Sequence, residues 1–467
     1  MTLNVTIKNI GKLTDAEIRI GAFTVLAGPN NTGKSFVSKL LYSLFNAMNA
    51  NHVQIHVNNL VQPVINCFYR LDRPAHLNVE KPQMSLEESE VEKLEILAKD
   101  CAPGGPKELD ELIKNLIHQA SAIEKRVREI HLPEGVKEEV EGRQNGISGT
   151  TRMKETHEEL KKSLDKLKQD LSRGRWAAFT VAGMQYKTRQ NLIHNFQIST
   201  LSDLVGAEDA PSELMFEGFG KFEFSSDEIE FAVDEILLQE LQRHSNVVYL
   251  ESPVYWKLKN ALEDLRRNPR RMFLTGEREM LSGVPEYFYD LITTLSFRRT
   301  GGIAFPDLYK KLTDKDIMGG KIAISESGNF SFQENGCNFT LPLTAMGIVN
   351  MGILALLIER NILDKDTFIF IDEPEAHLHP AWQVVMAETL FELSRHGVNV
   401  VIATHSVDIL KWLEVHVKKN PEDKKLIALN RFPVNSSEVD ENFEMKMANI
   451  KQELTKPFSD LYVKGLL

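Results

Sequence analysis

Two groups of residues have the types and spacing to do chemistry, and they lie far apart in the chain. Gly28 to Ser35 reads GPNNTGKS and satisfies G-x-x-x-x-G-K-[ST] at every fixed position. In such a loop the glycines let successive backbone N–H groups wrap a phosphate. Lys34 then reaches the β/γ-phosphates of a nucleotide and Ser35 ligates Mg2+. Pro29, Asn30, Asn31 and Thr32 complete the cradle expected with Gly28 and Gly33, and Phe36 opens the helix behind it. The second group follows two strand-like runs: the wholly apolar Phe368 to Ile371 ends in Asp372, Glu373 and Pro374, and Val398 to Ala403, read as a second buried strand, ends in Thr404, His405 and Ser406. Short, wholly apolar runs suit parallel strands buried on both faces, and ligands bind beyond the carboxyl ends of such strands. Two carboxylates and an imidazole are therefore expected on adjacent strands where a nucleotide would sit.

The elements that must position these groups are legible nearby. Phe23 to Ala27 precedes the glycine loop, and Phe36, Val37, Leu40, Leu41 and Leu44 follow it at helical spacing, the strand–loop–helix context the motif requires. Residues 2–27 read as two or three strands, Leu3–Ile7, Ala16–Ile20 and Phe23–Ala27, with turns at Gly11, Asp15 and Gly21. A large insertion then separates the two halves. Leu109, Ile113, Leu116, Ala120, Ile123, Val127 and Ile130 recur in steps of three and four, as do Leu160, Leu164, Leu167 and Leu171, with Met153 one heptad before Leu160. An antiparallel helical hairpin is expected, a short coiled coil with arms of roughly 30–35 Å. A plain helical subdomain is the alternative. Residues 176–245 carry no clear pattern, and Val247 to Leu250 reads as a strand ending in Glu251, Ser252 and Pro253. Lys257, Lys259, Arg266, Arg267, Arg270 and Arg271 face two acids, Glu263 and Asp264. That stretch reads as a solvated helix face, with a nucleic-acid or phosphate patch as the other reading. Lys321 to Leu341 forms short strands turning at Gly328 and Gly336. The segment LPLTAMGIVNMGILALLIER then opens an apolar helix.

Composition is that of an ordinary soluble globular protein: 467 residues, 42% hydrophobic and 26% charged. A net charge of −11 argues against a surface coated overall for nucleic acid. No run approaches the roughly 20 apolar residues of a membrane helix, and the first residues have no signal-peptide core. Cys67, Cys101 and Cys337 are too scattered for a disulfide framework or a zinc site. A cytoplasmic protein with reduced thiols is expected.

The segment NVTIKNIGKLTDAEIRIGAFTVLAGPNNTGKS resembles the N-terminal lobe of ABC-class AAA ATPases of the SMC/RecF/overcoming-lysogenization type. DEPEAHLHP and ATHS, starting at Asp372 and Ala403, carry the same resemblance in the other half. It implies an α/β fold: an ABC-type P-loop NTPase head, a mixed sheet flanked by helices, with a large, mainly helical insertion containing the hairpin. The expected division is 1–75 and 246–430 for the head, 76–245 for the insertion, and 431–467 for a tail that contacts a partner.

The resemblance also implies roles. Asp372 holds Mg2+ with Ser35, Glu373 polarises the attacking water, and His405 senses the γ-phosphate of ATP. For His405 a satisfied core histidine is the alternative. Gly347 stands where this class has a signature loop, although Thr344, Ala345 and Met346 replace its usual serine. It is expected to act across a dimer of heads, with an ordinary buried helix start as the alternative. Gln54 and Gln62 are the candidates for the glutamine that links the insertion to the metal. Glu375, His377 and His379 read as structural or interface residues.

The relatives implied include ATPase subunits of antiphage systems of the PARIS and Septu types. The expected function is a nucleotide-driven dimerising switch that holds or releases a separate effector, a nuclease or toxin. The residues after His405 are too few for a Toprim nuclease of the overcoming-lysogenization kind, so any nuclease is expected on a second protein. A DNA-binding repair ATPase like RecF or a short SMC head is the runner-up. A transporter subunit comes third, and no membrane partner is expected.

Overall fold

The computed structural model describes residues 2–72, 88–99, 106–129, 149–173, 176–206, 211–225, 228–233, 246–251, 253–267, 283–296, 301–433 and 442–463. These divide into one unit of residues 1–49 with 188–467 and a second of residues 50–187.

The first unit begins with β1 (Leu3–Ile10) and β2 (Leu13–Ile20), an antiparallel pair in which Leu3 lies opposite Ile20. Alternate residues of each, such as Val5, Ile7, Ile18 and Ile20, are buried, as a period of two requires for a sheet with one face on the core. β3 (Phe23–Ala27) is buried at all five positions and runs into the glycine loop and α1 (Lys34–Met48).

The second unit is helical, with α2 (His52–Asp72), α3 (Glu88–Lys99), α4 (Pro106–Glu129), α5 (Gly149–Arg173) and α6 (Trp176–Phe196), the last carrying the chain back to the first unit. Leu109, Leu116, Ala120, Ile123 and Val127 of α4 are buried, as are Leu160, Leu164, Leu167 and Leu171 of α5. Both expected arms are thus present, each about 36 Å long at 1.5 Å per residue. Their seams do not close on each other alone. α2 packs on α3 and α5, and α4 packs on α3 and α5, so four helices share one core. An apolar stripe wider than a two-stranded seam needs those extra partners. Ile130 and the segment expected to link the arms lie outside the described residues.

The first unit resumes with β4 (Ser212–Phe216), β5 (Gly220–Phe224) and β6 (Ile229–Val233), which extend the opening pair into an antiparallel sheet ordered β2-β1-β4-β5-β6. Val5 lies opposite Phe216, and that pairing puts β4, β5 and β6 in the first unit rather than in the insertion expected over 76–245. Likewise α2 joins the bundle, so the division falls near residue 50 rather than 75.

β7 (Val247–Leu250) is the first of the remaining strands. β8 (Gly320–Ile324), β9 (Phe330–Glu334) and β10 (Cys337–Thr340) form a small antiparallel sheet, and the helix Met346–Glu359 follows it. Then come β11 (Phe368–Asp372), β12 (Asn399–Thr404) and β13 (Ile427–Arg431). The central sheet is entirely parallel, ordered β13-β3-β12-β11-β7. Asn430 joins it to the antiparallel sheet: its side-chain amide accepts from the Arg19 N–H at 2.8 Å and donates to the Arg19 carbonyl at 2.9 Å, as a strand backbone would. The expected tail is part of this unit. Its helix, Phe443–Val463, buries Met447 and Ile450 and pairs Lys451 with Glu414 at 2.6 Å.

Candidate active site

Parallel pairing brings the ends of β3, β12 and β11 to one edge, with Ala27 opposite Thr404 and Asp372 opposite Ala403. The loop leaving β3 has little room. A Cβ on Gly28 would stand 2.1 Å from the Phe432 carbonyl oxygen, so only glycine fits, and Gly33 turns the chain into α1 at φ 99°. Lys34 is buried with its ammonium on the Pro29 carbonyl at 2.7 Å, and Thr32 donates to the same oxygen at 2.8 Å. Burial lowers the Lys34 pKa, while Asp372, Glu373 and Glu375 pull it the other way. Lys12, in the β1–β2 turn, donates to the Asn31 side chain at 2.7 Å. Phe36 seats under that turn against Phe196, where the ring leaves no space for a side chain on Gly11.

Ser35 Oγ donates to Asp372 Oδ1 at 2.9 Å, joining the glycine loop to the acidic strand. Burial pushes the Asp372 carboxyl up to about 6, the Ser35 bond opposes that, and Glu251 and Glu373 add to it. Glu373 has φ 52°, an uncommon conformation for a side chain of its size, held by its N–H on the Ala403 carbonyl at 2.8 Å. Its carboxylate faces β12, with His405 Nδ1 3.4 Å from Glu373 Oε1. Glu373 and His405 are both part-exposed, at 46% and 39%.

The described residues fit a nucleotide and its cation. A hydroxyl and a half-buried carboxylate lie side by side as hard oxygen donors, and a carboxyl whose pKa is raised by partial burial is what a divalent ion neutralises.

Gly347 lies in the first turn of the helix Met346–Glu359 and packs on the loop after the acidic strand, where a Cβ would stand 2.6 Å from the His377 carbonyl oxygen. His379 caps the helix Pro380–Arg395, its Nδ1 accepting from Ala381 N–H. Gln54 and Gln62 both lie on α2, in the helical unit. Gln54 donates to the Lys99 carbonyl and Gln62 to Asn66. Of the basic stretch, Lys259 is buried and paired with Glu263 at 2.9 Å, whereas Arg270 and Arg271 lie outside the described residues.

One acid at this edge went unassigned in the sequence. Glu251 follows β7, the strand beside β11. It accepts from the Tyr287 hydroxyl, and Lys39 stands 3.5 Å away. The available signal was an apolar run ending in a carboxylate, as Phe368 to Ile371 also does.

The parallel sheet and the glycine loop between β3 and α1 are those of a P-loop ATPase domain. A sequence profile of the AAA ATPase domain family matches residues 1–410, and the chain belongs to that family. Over 46 residues it is 49% identical to the Old nuclease of Escherichia phage P2, a segment that is 10% of this chain and 8% of the phage protein. Among solved structures, an SMC head bound to the C-winged helix domain of ScpA covers 88% of this chain. That match has 10% identity, a TM-score of 0.34 and 91% coverage of the SMC head chain. A second is an Smc head with an extended coiled coil bound to the C-terminal domain of ScpA, derived from Pyrococcus furiosus. It covers 91% of this chain and 99% of its own at 11% identity and a TM-score of 0.28. No described helix is long and apolar enough to cross a membrane.

Proposed function

We propose that this ATPase binds ATP with Mg2+ at Gly28–Phe36, hydrolyses it, and uses the cycle as a dimerising switch that acts through a separate effector protein. The observation that carries the reading is the Ser35–Asp372 hydrogen bond, which sets the phosphate loop against the acids of β11. On binding, Lys34 exchanges the Pro29 carbonyl for the β/γ-phosphates, and loop N–H groups take the phosphate oxygens. Ser35 and Asp372 hold the Mg2+, whose charge offsets that developing on the phosphates. Glu373 accepts a proton from the attacking water, and His405, on the neighbouring strand, contacts the γ-phosphate. The helix whose first turn contains the buried Gly347 presents its N-terminal backbone N–H groups to the ATP of a second copy. The resemblance of DEPEAHLHP and ATHS to overcoming-lysogenization proteins favours antiphage defence as the setting, with a nuclease or toxin as the effector.

The test is solution mass by light scattering of Glu373→Gln, with and without Mg-ATP. Removing the base traps the bound state, so a shift to a dimer or a multiple of dimers only with ATP is expected. A monomer under both conditions overturns the dimerising switch.

A further inference from the structure

The loop after β11 and the loop after β12 are tied together by a side chain that the catalytic reading does not use. Glu375 is 6% exposed. Its Oε1 accepts from Thr404 Oγ1 at 2.7 Å and from the His405 backbone N–H at 2.9 Å. Thr404 Oγ1 accepts in turn from Ser406 N–H at 3.0 Å. Ser406 Oγ donates to Gln383 Oε1 at 2.7 Å, and the Gln383 amide donates to the Leu378 carbonyl at 3.2 Å. The ring thus closes back on the segment that bears Glu375.

Two donors on one oxygen need only a neutral acceptor, and burying a full carboxylate for that purpose is costly. Two groups beside it have unmet needs. Glu375 Oε2 is buried without a hydrogen-bond partner, and so is His405 Nδ1, which lies 3.4 Å from Glu375 Oε1 and 3.4 Å from the more exposed Glu373 Oε1.

We propose that Glu375 is a positioning residue for His405. One oxygen clamps the peptide that carries the histidine, and the carboxylate takes the imidazole Nδ1–H, so that Nε2 is held toward the reacting phosphate. This rests on the reading of His405 given above. A histidine more than a third exposed at a strand end has many rotamers open to it, and misplacement by about 1 Å costs on the order of a hundredfold in rate.

The test compares Glu375→Ala, Glu375→Gln, His405→Ala and the Glu375→Ala/His405→Ala double variant in the full chain. Glu375→Gln keeps an acceptor for Thr404 and the His405 N–H but offers Nδ1 an amide donor. It should melt with the wild type and still lose about tenfold or more in kcat, with unchanged affinity for a fluorescent ATP analogue. The double variant should be no slower than His405→Ala, because the two residues act as one unit. The imidazole 15N signals lost in His405→Ala should be displaced in Glu375→Gln, without nucleotide present. A wild-type kcat and an undisplaced His405 signal in Glu375→Gln overturn the assignment, as does a double variant whose losses multiply. If the wild type hydrolyses no ATP, the reading of the site fails on the kinetics, and the nitrogen spectrum alone decides whether Glu375 holds His405.

Discussion

The edge of the parallel sheet and the helical bundle are built from the same apolar residue types, yet they treat polar groups in opposite ways. In the bundle, Leu116, Leu160 and Leu164 are wholly buried, and charges stay near the surface in pairs such as Lys161–Glu158 at 3.0 Å. Its buried His157 has a partner, the Val127 carbonyl at 2.9 Å. At the sheet edge, Lys34 and Glu375 are buried and burial pushes the Asp372 carboxyl up to about 6. The bundle is organised for stability. The edge carries electrostatic cost that a charged ligand can relieve, the pattern expected where a protein binds rather than only folds.

Perturbing the two regions should therefore have different consequences. The largest effect is expected at Glu373→Gln, which should lower ATP turnover by about 10²–10⁴-fold and leave the unfolding midpoint in urea unchanged. A wild-type rate would remove Glu373 as the base. Leu164→Ala, in the bundle core, should do the reverse in kind, costing about 2–5 kcal/mol of stability by urea denaturation followed by circular dichroism.

Asp372→Asn sharpens the contrast through pH. The folded carboxyl titrates at about 6 against an ordinary 3.8, so the folded state binds the proton more tightly. Keeping Asp372 ionised then costs the folded protein on the order of 3 kcal/mol above pH 6, a cost that shrinks as pH falls and is gone below 3.8. Without nucleotide, Asp372→Asn should be the more stable protein above pH 6 and lose that advantage in acid. A pH-independent difference would show that the carboxyl is not strained by burial. The smallest effect belongs to Lys168→Ala, which removes a surface partner of Glu124 and should change stability by about 0.5 kcal/mol or less.

The most legible parts were those whose chemistry is local. GPNNTGKS announces its loop because the glycines and Lys34 must be contiguous, and the acidic and histidine strands show as apolar runs with polar ends. Their adjacency followed from the type of sheet. Pairings across long stretches of chain were not legible. SELMF, GKFEF and IEFAV are short alternating runs, and nothing in them says that β4 lies beside β1. The bundle seams were visible in α4 and α5. That α2 and α3 would share them depends on a surface the heptads do not name. Glu375 and Glu251 look like ordinary acids until the fold brings Thr404 and Tyr287 to them.

The contact between Gly28 and the Phe432 carbonyl has a consequence for how the protein is made. The glycine loop leaves the ribosome well before β12 and β13, the strands that flank β3 on either side. The loop therefore has its sequence long before it can have its shape. During that interval the newborn chain has no completed cradle for nucleotide, and ligand-assisted folding of the head can begin only after residue 432 has emerged.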